Sequence, residues 1–158
     1  MPRISRRGDS RAIARRRFHL EMLEPRLALD ASGLRITELL ASNEDGIVYF
    51  EGDATDWLEI YNPGDVAVDL GGLYLTDSVN NRTKWQIPEG VTREGNGCLV
   101  VFASCEDGVW GEGELHTNFA LSADGEYLAL VSSDGVTVID AFSPKFPRQS
   151  EAISYGRS

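Results

Sequence analysis

The chain has 158 residues and a formal net charge of −10, with 42% hydrophobic and 9% aromatic residues, which is the balance of a globular protein and not of a disordered chain. The charge is split: residues 1–30 hold eight Arg and four acids, a net of +4, whereas residues 31–158 hold seven basic and 21 acidic residues, a net of −14. The longest apolar run is the six residues Cys98–Ala103, too short to cross a bilayer as a helix, and an acidic body is a poor partner for nucleic acid, whose phosphates need clustered Lys and Arg.

The basic leader comes first. Residues 3–17 contain seven Arg and one acid. A secretory signal would continue into an unbroken apolar stretch, but Phe18–Leu29 is interrupted by Glu21, Glu24, Pro25 and Arg26. Arg17-Phe18, Glu21 and Leu23-Glu24-Pro25-Arg26-Leu27-Ala28-Leu29 resemble the LEPR-type N-terminal segment of large bacterial cell-surface proteins. Ala28-Leu29 stands where that pattern usually has Leu-Leu. The resemblance implies an exported, extracellular or cell-surface protein, with Leu23, Glu24, Pro25 and Arg26 as the targeting motif. Residues 1–31 are expected to be a disordered or partly helical leader, and residues 32–158 a single folded body.

The body reads as all-β. Turn signals recur at Asp45-Gly46, Pro63-Gly64, Gly71-Gly72, Asn80-Asn81, Gly95-Asn96-Gly97, Asp107-Gly108, Asp124-Gly125 and Asp134-Gly135. Short runs rich in Val, Ile, Leu, Tyr and Trp lie between them, and no sustained 3.6-residue period appears after residue 31. Strands are expected over 34–41, 47–50, 57–61, 66–70, 73–76, 83–87, 98–103, 115–120, 126–132 and 135–142. Leu58 and Ile60 share one strand face, and Trp57, Glu59 and Tyr61 share the other. Cys98–Ala103 is apolar on both faces, as a central strand is. Ser133-Asp134-Gly135 predicts a tight hairpin.

Several segments together carry a second resemblance. They are Ile36-Thr37-Glu38-Leu39-Leu40-Ala41-Ser42-Asn43, Asp56-Trp57-Leu58-Glu59-Ile60-Tyr61-Asn62-Pro63-Gly64 and Val68-Asp69-Leu70-Gly71-Gly72-Leu73-Tyr74-Leu75-Thr76-Asp77, followed by Lys84-Trp85-Gln86-Ile87-Pro88, Leu99–Ser104 and Leu115–Glu126. Residues 34–157 resemble a bacterial lamin tail domain. The resemblance implies an immunoglobulin-like β-sandwich and a non-catalytic interaction module. Cys98 stands where an aromatic is usual, and Cys105 where Gly is common. Such domains often sit beside others in large secreted proteins, so the chain is expected to be either part of a longer frame or a free-standing module, with a protein or cell-envelope partner.

Little in the sequence points to chemistry. Two Cys and one body histidine cannot make a zinc site of four ligands. If Cys98–Ser104 is extended, the two Cys Cα atoms lie about 23 Å apart, far beyond disulfide reach. The expectation is a buried Cys98 and a free Cys105 in a loop. His116, the sole body histidine, reads as a hydrogen-bonded strand residue. No G-x-S-x-G, P-loop or H-E-x-x-H is present, and the acidic pair Glu106-Asp107 beside Cys105 disfavours a thiolate nucleophile. No catalytic, cofactor-binding or metal-binding residue is therefore assigned. The acidic loops at 51–56 and 77–81 hold oxygen ligands of the kind calcium takes, without fitting a calcium-loop motif. Trp57, Tyr61, Tyr74 and Trp85 are the candidate interaction surface, for a protein partner or, in an adhesion domain, for a glycan.

Overall fold

In the computed structural model, which describes residues 30–157, the chain after a 3-10 turn at Ala31–Gly33 is built almost wholly of short strands. Six form one sheet in the order β12-β1-β2-β7-β9-β8: Tyr155–Gly156 (β12), Arg35–Leu40 (β1), Trp57–Tyr61 (β2), Cys98–Phe102 (β7), Glu114–His116 (β9) and Gly108–Trp110 (β8). Four form a second sheet in the order β11-β10-β4-β5: Val138–Phe142 (β11), Leu128–Val131 (β10), Tyr74–Thr76 (β4) and Trp85–Gln86 (β5). Val68–Asp69 (β3) and Thr92–Arg93 (β6) make a separate two-stranded ribbon.

The larger sheets pack face to face. Leu58, Ile60, Leu99, Val101 and Leu115 from the first meet Leu75, Trp85, Leu128, Leu130 and Phe142 from the second in one buried cluster. Burial of these apolar faces is the main driving term of such a two-layer fold. The sheets are also tied by a polar link: Ile36 N donates to the Asp140 carboxylate at 2.8 Å, and Asp140 pairs with Arg157. Both partners sit where a strand slips register, β1 between Ile36 and Glu38 and β11 opposite Leu130 and Val131. A bulge re-aims a side chain or main-chain group that a regular ladder would consume. The architecture is an all-β, immunoglobulin-like sandwich.

The expected alternation of 57–61 holds, with Leu58 and Ile60 fully buried between the sheets. β7 is central, paired antiparallel with β2 and parallel with β9. The hairpin at 133–135 joins β10 to β11, with Gly135 at φ +70 and the Asp134 carboxylate accepting from Val136 N and Thr137 N, each at 2.8 Å. Other expectations need correction. Residues 47–50 form no strand, only a bridge between Val48 and Ala54, because Tyr49 is turned down onto the sheet instead of into a ladder. Cys98 is exposed, not buried, since it opens β7 on the face opposite Leu99 and Val101. Cys105 is indeed free. Its φ of +67 is the left-handed region that glycine occupies without a Cβ clash. Strands β6, β8 and β12 were not foreseen. The leader, including the Leu23, Glu24, Pro25, Arg26 motif, lies outside the described residues apart from Asp30 and Ala31.

Candidate interaction surface

The outer face of the six-stranded sheet carries the features of interest. One row across it is Leu40, Trp57, Phe102 and His116, set by the pairings of β1 with β2, β2 with β7 and β7 with β9. This row is covered by the loop from Asn43 to Asp56. Asn43 shapes that loop: its Nδ2 donates to Ile47 O at 2.6 Å and Thr55 O at 2.8 Å, and its Oδ1 accepts from Gly46 N at 2.7 Å. Asn62 repeats the device at the end of β2, donating to Val66 O at 2.9 Å and to the carbonyls of Arg93 and Glu94, both at 3.1 Å. Both asparagines are buried, so their amides are fully committed to the backbone.

Tyr49 is the loop's anchor. Its ring meets His116 edge-on at 4.9 Å and leans on Phe102 at 5.8 Å. Phe102 stacks on His116 at 5.2 Å, so the three rings contact one another. Burial drives the Tyr49 hydroxyl pKa up, helped by the nearby Glu106 and Asp53 charges. The same burial holds His116 below its ordinary value, against the opposing pull of Glu106, Glu114 and Glu51. His116 is thus a neutral imidazole inside an aromatic box.

Ser104, His116 and Glu106 invite comparison with a hydrolytic triad. Ser104 Oγ lies 2.9 Å from His116 Nδ1, and Glu106 Oε2 lies 3.4 Å from the same nitrogen. A triad needs the nucleophile on one ring nitrogen and the orienting carboxylate on the other. Here Nε2 is buried and has no hydrogen-bond partner among the described residues. Serine and carboxylate share one ring nitrogen here, so Glu106 does not hold the imidazole from the far side of the nucleophile as a triad carboxylate does. Cys98 is no better placed as a nucleophile: partial burial and the neighbouring Glu59 push its thiol pKa up. Among the described residues, no group of three or more His, Cys, Asp or Glu side chains is placed to hold a metal ion.

Beyond the box the surface turns outward. Phe50 is 71% exposed and Trp110 41%, with Ile47 and Val48 also exposed beside them, while Val109 lies on the other face of β8, opposite Leu115. Phe50 is held in place by its backbone: its N donates to Glu114 Oε2 at 2.9 Å, and its side chain lies on Gly111, where an added Cβ would come within 2.8 Å of it. An open groove of about 400 Å³ runs alongside, floored by Val100 and Phe102, with Ile47 and Val48 on one wall and Glu112 and Glu114 on another. β8 is the sheet's edge, bonded to β9 alone, so one side of its main chain is unpaired within the sheet. The sheet thus carries an apolar groove, two exposed aromatic side chains, an acidic rim and a strand edge without a partner among the described residues.

The family model of the lamin tail domain matches residues 29–145. The chain belongs to the lamin tail domain family. No curated protein matches it. The match spans β1 through β11 and so contains the whole groove, while β12 lies past it. Membership makes the domain an immunoglobulin-like interaction module in general terms.

The four aromatic residues singled out from sequence do not make one face of this lamin tail domain. Trp57 is buried beneath Tyr49 with Leu40 and Phe102. Trp85 is buried in the main core on the other sheet, donating from Nε1 to Asp107 Oδ1 at 3.1 Å. Tyr61 is half-buried on β2, its hydroxyl 3.3 Å from Asn96 Oδ1, and Tyr74 is half-buried on β4 opposite Gln86. The residues sequence reasoning missed are Phe50 and Trp110. The available signal was the third Trp, set in Gly108-Val109-Trp110-Gly111-Glu112-Gly113-Glu114, where glycines and acids leave an aromatic nothing local to pack against.

Proposed function

We propose that this lamin tail domain is a non-catalytic interaction module of an exported bacterial surface protein, and that it docks an extended polypeptide in which Arg or Lys alternates with apolar side chains. The single observation behind this reading is the exposed Phe50–Trp110 patch beside a groove whose rim is acidic. Contiguous apolar surface rimmed by polar residues marks an interaction site more often than a bare solvent face. Apolar side chains fill the groove over Val100 and Phe102, basic ones meet Glu112 and Glu114, and the β8 edge offers main-chain groups to an added strand. The same acidic rim, on a body of net charge −14, disfavours nucleic acid. Export is supported by the LEPR-type segment at residues 23–26.

Selection from a random peptide library on the whole chain tests this. Peptides carrying basic residues next to aliphatic or aromatic ones are expected to be enriched. Their binding should weaken with salt and fall at least tenfold in the Phe50→Ser, Trp110→Ser double variant. Enrichment of acidic peptides, or binding indifferent to the double substitution, overturns the docking site. Salt-insensitive binding of envelope polysaccharide, lost in that variant, would instead favour a glycan adhesion role. Fractionation of the producing cell tests export, and a protein confined to the cytoplasm refutes it.

A further inference from the structure

We infer that the groove has an occupant within the chain itself: the arginine-rich segment Arg3–Arg17, which docks on the acidic rim and covers the surface that outside partners would use. The inference rests on the docking site proposed above. Three observations bring the two together. First, charge: the segment holds seven Arg and one acid, against Glu112 and Glu114 in the groove wall and Glu51 and Glu106 around the adjoining box. Among the described residues Arg93 is the one cation lining the groove, and its side chain lies against Gly97, next to Cys98. Second, composition: Ile4, Ala12, Ile13, Ala14 and Phe18 interleave with the arginines, which is the basic–apolar pattern that suits an apolar floor with acidic walls.

Third, reach. The described chain starts at the correct end of the sheet. Ala31 packs against the core, and Gly33 lies beside Pro63. Pro63 follows Asn62, whose N donates to Gly97 O at 2.9 Å, one residue before Cys98 at the mouth of the groove. Twelve residues lie between Arg17 and Asp30, and the connection spans up to about 45 Å when extended. The strand β7 beneath the groove covers roughly 17 Å. A segment tethered so close acts at an effective concentration of about 1 mM. Even a weak contact is then largely satisfied within the chain, and removing or engaging the leader frees the site.

The test is competition. A fluorescein-labelled synthetic peptide of residues 3–20 is titrated, at 150 mM NaCl, into the native chain and into the full chain carrying Arg11→Gln, Arg15→Gln, Arg16→Gln and Arg17→Gln. At that salt, general repulsion beyond about 8 Å is screened. If the peptide's dissociation constant is about 0.1 mM, a leader at about 1 mM weakens its apparent affinity for the native chain roughly tenfold relative to the variant. That difference, with a further loss when Glu112→Gln and Glu114→Gln are added to the variant, supports the inference. Equal affinity for the native chain and the variant overturns occupancy by the leader while leaving the docking site standing. Binding to neither form overturns the site's basic-peptide chemistry, and the inference with it.

Discussion

Two buried residues, Asn43 and His116, do unlike work on the same sheet face. Asn43 replaces secondary structure: one side chain satisfies two carbonyls and an N–H across a loop that has only a single bridge of its own. Alanine there removes the partner of all three part-buried groups, at roughly 1 kcal/mol each. Denaturant unfolding of Asn43→Ala should show a loss of about 2–4 kcal/mol, and the loop should become protease-sensitive. A loss near zero would mean the loop is held by Tyr49 alone. His116 makes stability depend on pH. Burial lowers its pKa in the folded protein, so the unfolded chain, titrating near 6.5, takes up a proton that the folded chain refuses. Stability is therefore full above about pH 6.5 and falls as pH drops from there to the lower folded value, below which it levels off. His116→Phe keeps a flat ring against Phe102 and Tyr49 without the titration. Comparing denaturation midpoints of the two proteins from pH 7.5 to 5 should show the native protein losing stability relative to the variant, because carboxylates such as Asp56 titrate in both.

Whole elements were legible wherever strand and turn signals agreed. The alternation in 57–61, the unbroken apolar run from Cys98 and the Asp134-Gly135 hairpin each placed a strand that the fold contains, and the sandwich followed from them. Strands such as β6 and β12 are two residues long, too short to show a period, and exist because a neighbour offers a partner. Residues 47–50 failed for the opposite reason: an unbroken β-branched and aromatic run that looks like a strand belongs to a loop whose Tyr49 is drawn into the histidine box. The docking surface was the least legible part, because exposure is a property of the finished fold. Trp57 and Trp85 look as much like surface candidates as Trp110 until the sheets close over them. The β8 hairpin shows how tightly that surface is set. Gly111 has φ +51, and Phe50 occupies the place its Cβ would take. Gly111→Ala combines left-handed strain of about 1–2 kcal/mol with a clash that must move Phe50. It should lower stability by about that amount and weaken peptide binding severalfold, whereas Gly113→Ala, with open space around its Cβ, should cost strain but spare binding.

At the scale of the molecule, the fold combines one shared core with graded edges. Leu58 and Ile60 on one sheet and Leu128 and Leu130 on the other belong to the same buried cluster, so neither sheet has a core without its partner. The chain should then unfold as one unit, with Trp85 in the main core and Trp57 in the outer cluster reporting the same transition. Local opening should follow sheet order instead. β2 and β7 are bonded on both sides in the first sheet, and β10 and β4 in the second, while β8, β12, β11 and β5 are edges. Edge strands have fewer neighbours to hold their hydrogen bonds and open at lower cost. Hydrogen exchange should be slowest in β2, β7 and β10, where only global unfolding releases the amides, and fastest in β8 and β12. The prediction is strict for β8: it lies farthest from β1 in the sheet order and supports the Phe50–Trp110 surface, so a binding site there rests on the least protected strand of its sheet. Ligand binding should slow β8 exchange selectively, leaving β7 unchanged, in the full chain carrying the four Arg→Gln substitutions, where the leader no longer occupies the site. Protection of β8 equal to that of β7 in the free protein would show that the edge is already covered, and the full chain carrying the four Arg→Gln substitutions would reveal whether the leader is what covers it.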